Sequence, residues 1–105
     1  MFNKSEILEY LASIKTALQH EGIAQIGLFG SFARNEGDLG SDIDIVIETS
    51  PEFVKAHPAY EALAYLEALR EKISNRFGGF RVDICDRSGL DDALKEKILK
   101  DACYV

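Results

Sequence analysis

The sequence predicts an α+β fold of two layers in which the first two strands form an antiparallel hairpin. Three observations predict it. Apolar residues recur at helical spacing in separated segments, short apolar runs with strand-like alternation stand between them, and one connection between two such runs is too short for a parallel crossover. At 105 residues the chain has material for one core and none for a second lobe, so a single domain over 1–105 is expected.

Asn3 followed three residues later by Glu6 has the form of a helix capping box, and Ile7, Leu8, Leu11, Ile14 and Leu18 then recur at helical spacing until Gly22. A helix over roughly residues 4–20 follows. Ile23 to Phe29 reads as a strand, with Ile26 and Leu28 on one face and Gly27 and Phe29 on the other. The run breaks at Gly30-Ser31. Ser31 to about Asn35 suits one helical turn, and the polar, glycine-rich segment to Gly40 suits a loop. Ser41 to Glu48 returns as a second strand, antiparallel to the first, which brings Gly30-Ser31 and Asp42/Asp44 to the same end of the sheet.

Thr49-Ser50-Pro51 ends that strand. A long helical region, beginning near Glu52 or Pro58 and ending at Phe77, carries a stripe of Ala62, Leu63, Leu66, Leu69, Ile73 and Phe77, and His57-Pro58 is its expected interruption. Gly78-Gly79 closes it. In the third strand, Phe80 to Asp86, alternation places Val82, Ile84 and Asp86 on one face and Arg81, Asp83 and Cys85 on the other. A last helix opens at Asp91-Asp92 with Leu94, Ile98 and Leu99 expected inward and Lys95, Lys97 and Lys100 outward; Ala102 to Val105 is expected as a terminal edge strand.

Composition narrows the function. Nearly half the chain is apolar and 29% is charged, the balance of a soluble globular protein. A formal charge of -6 argues against direct nucleic-acid binding and suits a basic partner surface. Cys85 and Cys103 lack metal or redox spacing and are expected as small core residues, and His20 and His57 have no ligand-spaced companion. No signal-peptide run or membrane-length stretch is seen, so the cytoplasm is the expected compartment, with no membrane contact.

The chemistry concentrates in residues 27–48. Asp42 and Asp44 lie two apart on a strand and project together, while Ile43 and Ile45 go to the other side. Two adjacent carboxylates resist joint ionisation unless a cation lies between them, and Mg²⁺, which takes one or two carboxylates plus substrate phosphates, suits the pair. Gly30 permits close backbone approach to a ligand, and Ser31 offers a hydroxyl and nearby N–H groups to a phosphate. A lone acid in mid-strand, Asp83, also asks for a cation.

Gly30-Ser31, ten residues, then Asp42-Ile43-Asp44 resembles the signature of the DNA polymerase β-like nucleotidyltransferase superfamily. By its size the chain is similar to the minimal nucleotidyltransferases, the MNT antitoxins that partner HEPN-domain toxins. The resemblance implies a nucleotidyltransferase fold with a small mixed sheet and helices on one face. It implies that Asp83, in Val82-Asp83-Ile84, is the third metal-binding carboxylate, so that Asp42, Asp44 and Asp83 hold two Mg²⁺ ions and are the catalytic residues. It further implies that Gly30 and Ser31, with Arg34 beside them, bind the phosphates of a nucleoside triphosphate, ATP, and that AMP passes to a hydroxyl, a tyrosine's, of the cognate HEPN ribonuclease toxin. Asn35 stands where the family often has glycine, and asparagine tolerates the left-handed backbone such a turn needs. Neutralisation by binding alone stays open as an alternative, as does, more weakly, transfer to a small molecule or an RNA end. Base preference and homo- or hetero-oligomeric state are not set by the sequence.

Overall fold

Asn3 caps the first helix: its Oδ1 accepts a hydrogen bond from the Glu6 N–H at 3.0 Å, satisfying one of the free amides of the first turn. Helix α1, Lys4–His20, buries Ile7, Leu11, Ile14 and Leu18, as their spacing predicts. The structure, a computed structural model, describes residues 1–105. Gly22 turns the chain at φ +96°, where a β-carbon would run into the backbone of Phe53.

Strand β1, Ile23–Phe29, is followed by the single turn α2, Gly30–Ala33, and then by β2, Ile43–Thr49. These strands pair antiparallel, Ile26 opposite Ile47 and Phe29 opposite Asp44, which is the expected hairpin. The helical region expected after Pro51 is two helices, α3, Pro51–Ala56, and α4, Tyr60–Arg76, parted at His57-Pro58. Pro58 disfavours helical geometry at His57, and Ala59 sits at φ +53°. His57 fills the gap by packing between Phe53 and Tyr65, with Nε2 2.9 Å from Glu21.

Strand β3, Val82–Asp86, lies parallel to β2, with Ile43 beside Val82 and Asp44 beside Asp83. After a short 3₁₀ turn and α5, Asp92–Ile98, the two-residue strand β4, Cys103–Tyr104, pairs antiparallel with β1. The mixed four-stranded sheet therefore runs β3-β2-β1-β4. Alternation gives it two unlike faces. Ile43, Ile45, Ile47, Ile26 and Leu28 face the core shared with α1 and with Leu69, Ile73 and Phe77. Asp44, Val46 and Glu48 face the opposite way.

Several expected core positions are corrected. Leu63 is 65% exposed, because six residues of helix set it about 120° around the axis from Leu69. In α5, Leu94 and Ile98 are 39% and 38% exposed and no residue is buried; seven residues give too little face to be covered, and Lys95 is more shielded than Leu94. Cys85 and Cys103 are half-buried rather than core, because both lie on edge strands of the sheet, β3 and β4.

Candidate active site

Gly30, the first residue of α2, leaves β1 at φ +74°, a backbone conformation open to glycine. A β-carbon built there would overlap the Asp44 carboxylate, so the glycine exists to leave Asp44 its space. Downstream, Arg34 N–H donates to the Gly30 and Ser31 carbonyls and Glu36 N–H to the Ser31 carbonyl at 2.8 Å, while Asn35 takes φ +60°, the left-handed geometry expected of it. The Ser31 hydroxyl has no hydrogen-bond partner within the chain.

The loop into β2 is held by its own side chains. Asp38 Oδ1 accepts from Gly40 N–H at 2.9 Å and from the Ser41 hydroxyl at 3.1 Å, and Asp38 N–H donates to Ser41 Oγ at 3.0 Å. This turn delivers Asp42 at the mouth of β2. With Ile43 and Ile45 fully buried beneath, Asp42 and Asp44 stand on the face opposite that core. The parallel register sets Asp83 beside Asp44 on that same face. The carboxylates predicted from sequence thus share one patch.

Electrostatics bear out their proximity. Burial, then the charges of Asp83 and Asp42, push the Asp44 carboxyl above its usual range, against a smaller pull from Arg34. Arg34 also pairs with two acids outside the trio: Nε lies 3.0 Å from Glu36 and Nη1 3.8 Å from Asp101. Sequence reasoning missed Arg81, whose Nε lies 3.8 Å from both Asp42 Oδ2 and Asp83 Oδ1. Alternation had put Arg81 on the face of Asp83; its second partner becomes visible only from the β2/β3 register.

The donor set fits magnesium in kind: three hard carboxylates, one of them raised by burial and then by its neighbours, beside a glycine kept small for close approach. Their side chains are not drawn onto one point, since no group of three Asp, Glu, His or Cys side chains is spaced to hold an ion. Asp42 and Asp83 lean to Arg81 instead. Because the strand register already makes these residues neighbours, side-chain rotation is all that would be required to gather them.

Asp86 is a second sequence-level acid with a defined place. Burial pushes its carboxyl up, and hydrogen bonds from Thr49 and Ser88 more than reverse this, leaving it below the usual range. It accepts from Thr49 Oγ1 at 2.6 Å and Ser88 Oγ at 2.7 Å, tying the end of β2 to the end of β3. On the face that Glu48 shares with Asp44, Arg87 reaches from Glu48 at 3.5 Å to the Tyr104 hydroxyl at 2.7 Å and stacks over the Tyr104 ring.

A mixed sheet carrying a glycine turn opposite paired strand carboxylates is the arrangement expected of a nucleotidyltransferase. The chain belongs to the nucleotidyltransferase domain family, whose model matches residues 11–105. It is 35% identical to the protein adenylyltransferase MntA of Thermococcus cleftensis, over 93% of this chain and 95% of that one. It is 33% identical to a candidate protein adenylyltransferase, MJ1379 of Methanocaldococcus jannaschii, over 96% of each chain. A solved structure described as a candidate minimal nucleotidyltransferase shares the fold, with a TM-score of 0.73 at 22% identity over 99% of this chain and 97% of that one. No helix is long and apolar enough to cross a membrane.

Proposed function

We propose that this nucleotidyltransferase moves AMP from ATP to a hydroxyl of a partner protein, and that the partner is a cognate HEPN-domain toxin which the modification neutralises. The observation that carries the reading is the placement of Asp42, Asp44 and Asp83 on one face, with Gly30 pressed against Asp44. Near full-length similarity to proteins named adenylyltransferases favours a protein acceptor. The tyrosine identity of the acceptor and the toxin partner rest on resemblance to the minimal nucleotidyltransferases.

In the reaction, the acceptor oxygen bonds to the α-phosphorus of ATP, the bond to the β-phosphate oxygen breaks, pyrophosphate leaves, and the acceptor proton goes to a base. Asp42 and Asp44 would hold two Mg²⁺ ions jointly, with Asp83 completing the site nearer the acceptor. Bound there, the ions would supply charge neutralisation on the phosphates and a lowered pKa at the attacking hydroxyl. Asp83, an exposed carboxylate on the outer strand, would meet the incoming hydroxyl and accept its proton. Ser31, with its hydroxyl unengaged, and the amides beside Gly30 receive the phosphates, while Arg34 adds positive charge behind them. The net charge of -6 suits docking on a basic surface of the partner.

The test is incubation of the chain with labelled ATP, Mg²⁺ and the product of the adjacent gene. Label on that protein, lost with Asp42→Ala/Asp44→Ala, is expected. An unlabelled neighbour that the double variant still neutralises would replace catalysis with neutralisation by binding alone.

A further inference from the structure

Four side chains on the sheet face opposite the isoleucine core form a two-by-two array at the end of the β2/β3 pair. Asp44 lies beside Asp83, and one step outward along both strands, by the same register, Asp42 lies beside Arg81. The Arg81 guanidinium sits 3.8 Å from Asp42 and 3.8 Å from Asp83, so it touches two of the three carboxylates that a divalent ion would need. Other nearby cations are committed elsewhere. Arg34 is paired with Glu36 and Asp101, and Arg70 is paired with Glu67 at 2.9 Å.

The quality of the Arg81 contacts matters as much as their number. At 3.8 Å neither is a hydrogen bond, and neither has the short bidentate geometry that locks an arginine onto a carboxylate. The side chain is 75% exposed. It is therefore a charge held loosely over the patch, free to leave without breaking any packing. A planar guanidinium with several donors is also well matched to phosphate oxygens.

The geometry points to Arg81 as an internal cation that competes with free divalent metal for Asp42 and Asp83 and transfers to the phosphates of an incoming metal–nucleoside triphosphate complex. Metal then enters with the nucleotide rather than ahead of it. Arg81 becomes a phosphate-binding residue once its two carboxylates have taken the ion. The inference rests on the reading of Asp42, Asp44 and Asp83 as the residues that hold metal.

Mn²⁺ binding to the full chain, followed by electron paramagnetic resonance with and without α,β-methylene-ATP, tests the handover. The wild type is expected to bind Mn²⁺ alone weakly and Mn²⁺ with the analogue far more tightly. Arg81→Gln, exposed enough to fold normally by thermal melting, is expected to bind Mn²⁺ alone about tenfold more tightly and the analogue about tenfold more weakly. Arg81→Lys, which keeps the charge but not the fork, should restore the weak binding of Mn²⁺ alone and only part of the analogue affinity. If Arg81→Gln leaves either affinity at the wild-type value, the handover is wrong. Asp44→Asn separates this from the underlying reading: if it does not weaken Mn²⁺ binding in either background, the carboxylates are not a metal site at all.

Discussion

Gly30 and Asp44 share one volume: the position a β-carbon would take on residue 30 is filled by the Asp44 carboxylate. Gly30→Ala therefore meets two penalties, the left-handed backbone and the displaced acid. A loss of about 1 kcal/mol or more of stability is expected, with transfer reduced roughly tenfold or more because Asp44 moves. Thermal melts and labelled-ATP transfer measure the two effects.

Asp44 is expected to work against the fold it serves. Its carboxyl lies above the usual range through burial first and then through Asp83 and Asp42, so the folded chain holds a proton there that the unfolded chain gives up. The sign follows: as pH rises from the ordinary aspartate value of 3.8 through the raised folded value, stability falls. Asp44→Asn should remove that fall and melt a few degrees higher at neutral pH, a gain of about 1 kcal/mol or less given the exposure of the site, while abolishing transfer. A lower melting temperature for the variant at neutral pH would contradict this.

Ser31→Ala removes a hydroxyl without a partner in the chain, so the melting temperature should not change. ATP affinity should fall about fivefold to tenfold if the hydroxyl receives a phosphate. Isothermal titration with α,β-methylene-ATP and Mg²⁺ measures it, and unchanged affinity would remove Ser31 from the site.

Asp86 should behave oppositely to Asp44 in pH. Its carboxyl is held low by Thr49 and Ser88 against the effect of burial, so its contribution is present above the unfolded aspartate value and lost as pH falls through the lowered folded one. Asp86→Ala leaves the Thr49 and Ser88 donors without their acceptor, at a cost of about 1–3 kcal/mol near neutral pH. Urea titrations at neutral and strongly acidic pH should show the gap between variant and wild type closing in acid.

Local periodicity carried much of the fold. The span of α1, the strand from Ile23 to Phe29, the hairpin and the terminal edge strand follow from spacing, glycines and loop length, which act over a few residues. Leu63 shows where that reasoning stops. It satisfies the apolar stripe on paper, but which arc of α4 meets the sheet depends on how the crossover seats the helix, and that arc centres on Leu69 and Ile73. The same holds in the site. Asp42 and Asp44 were legible from alternation, and Asp83 from its isolation in an apolar strand. The contact of Arg81 with Asp42 depends on the parallel register of strands separated by two helices, which no local pattern encodes.

Residue-by-residue alternation along β2 has an engineering consequence. Ile43, Ile45 and Ile47 anchor the sheet from below, and Asp42 and Asp44 stand above it, so the two sets can be redesigned separately. A library of aliphatic exchanges on the underside should leave the upper array in place. Inserting a single amino acid inside the strand would do the reverse, turning the anchors upward and the acids into the oil.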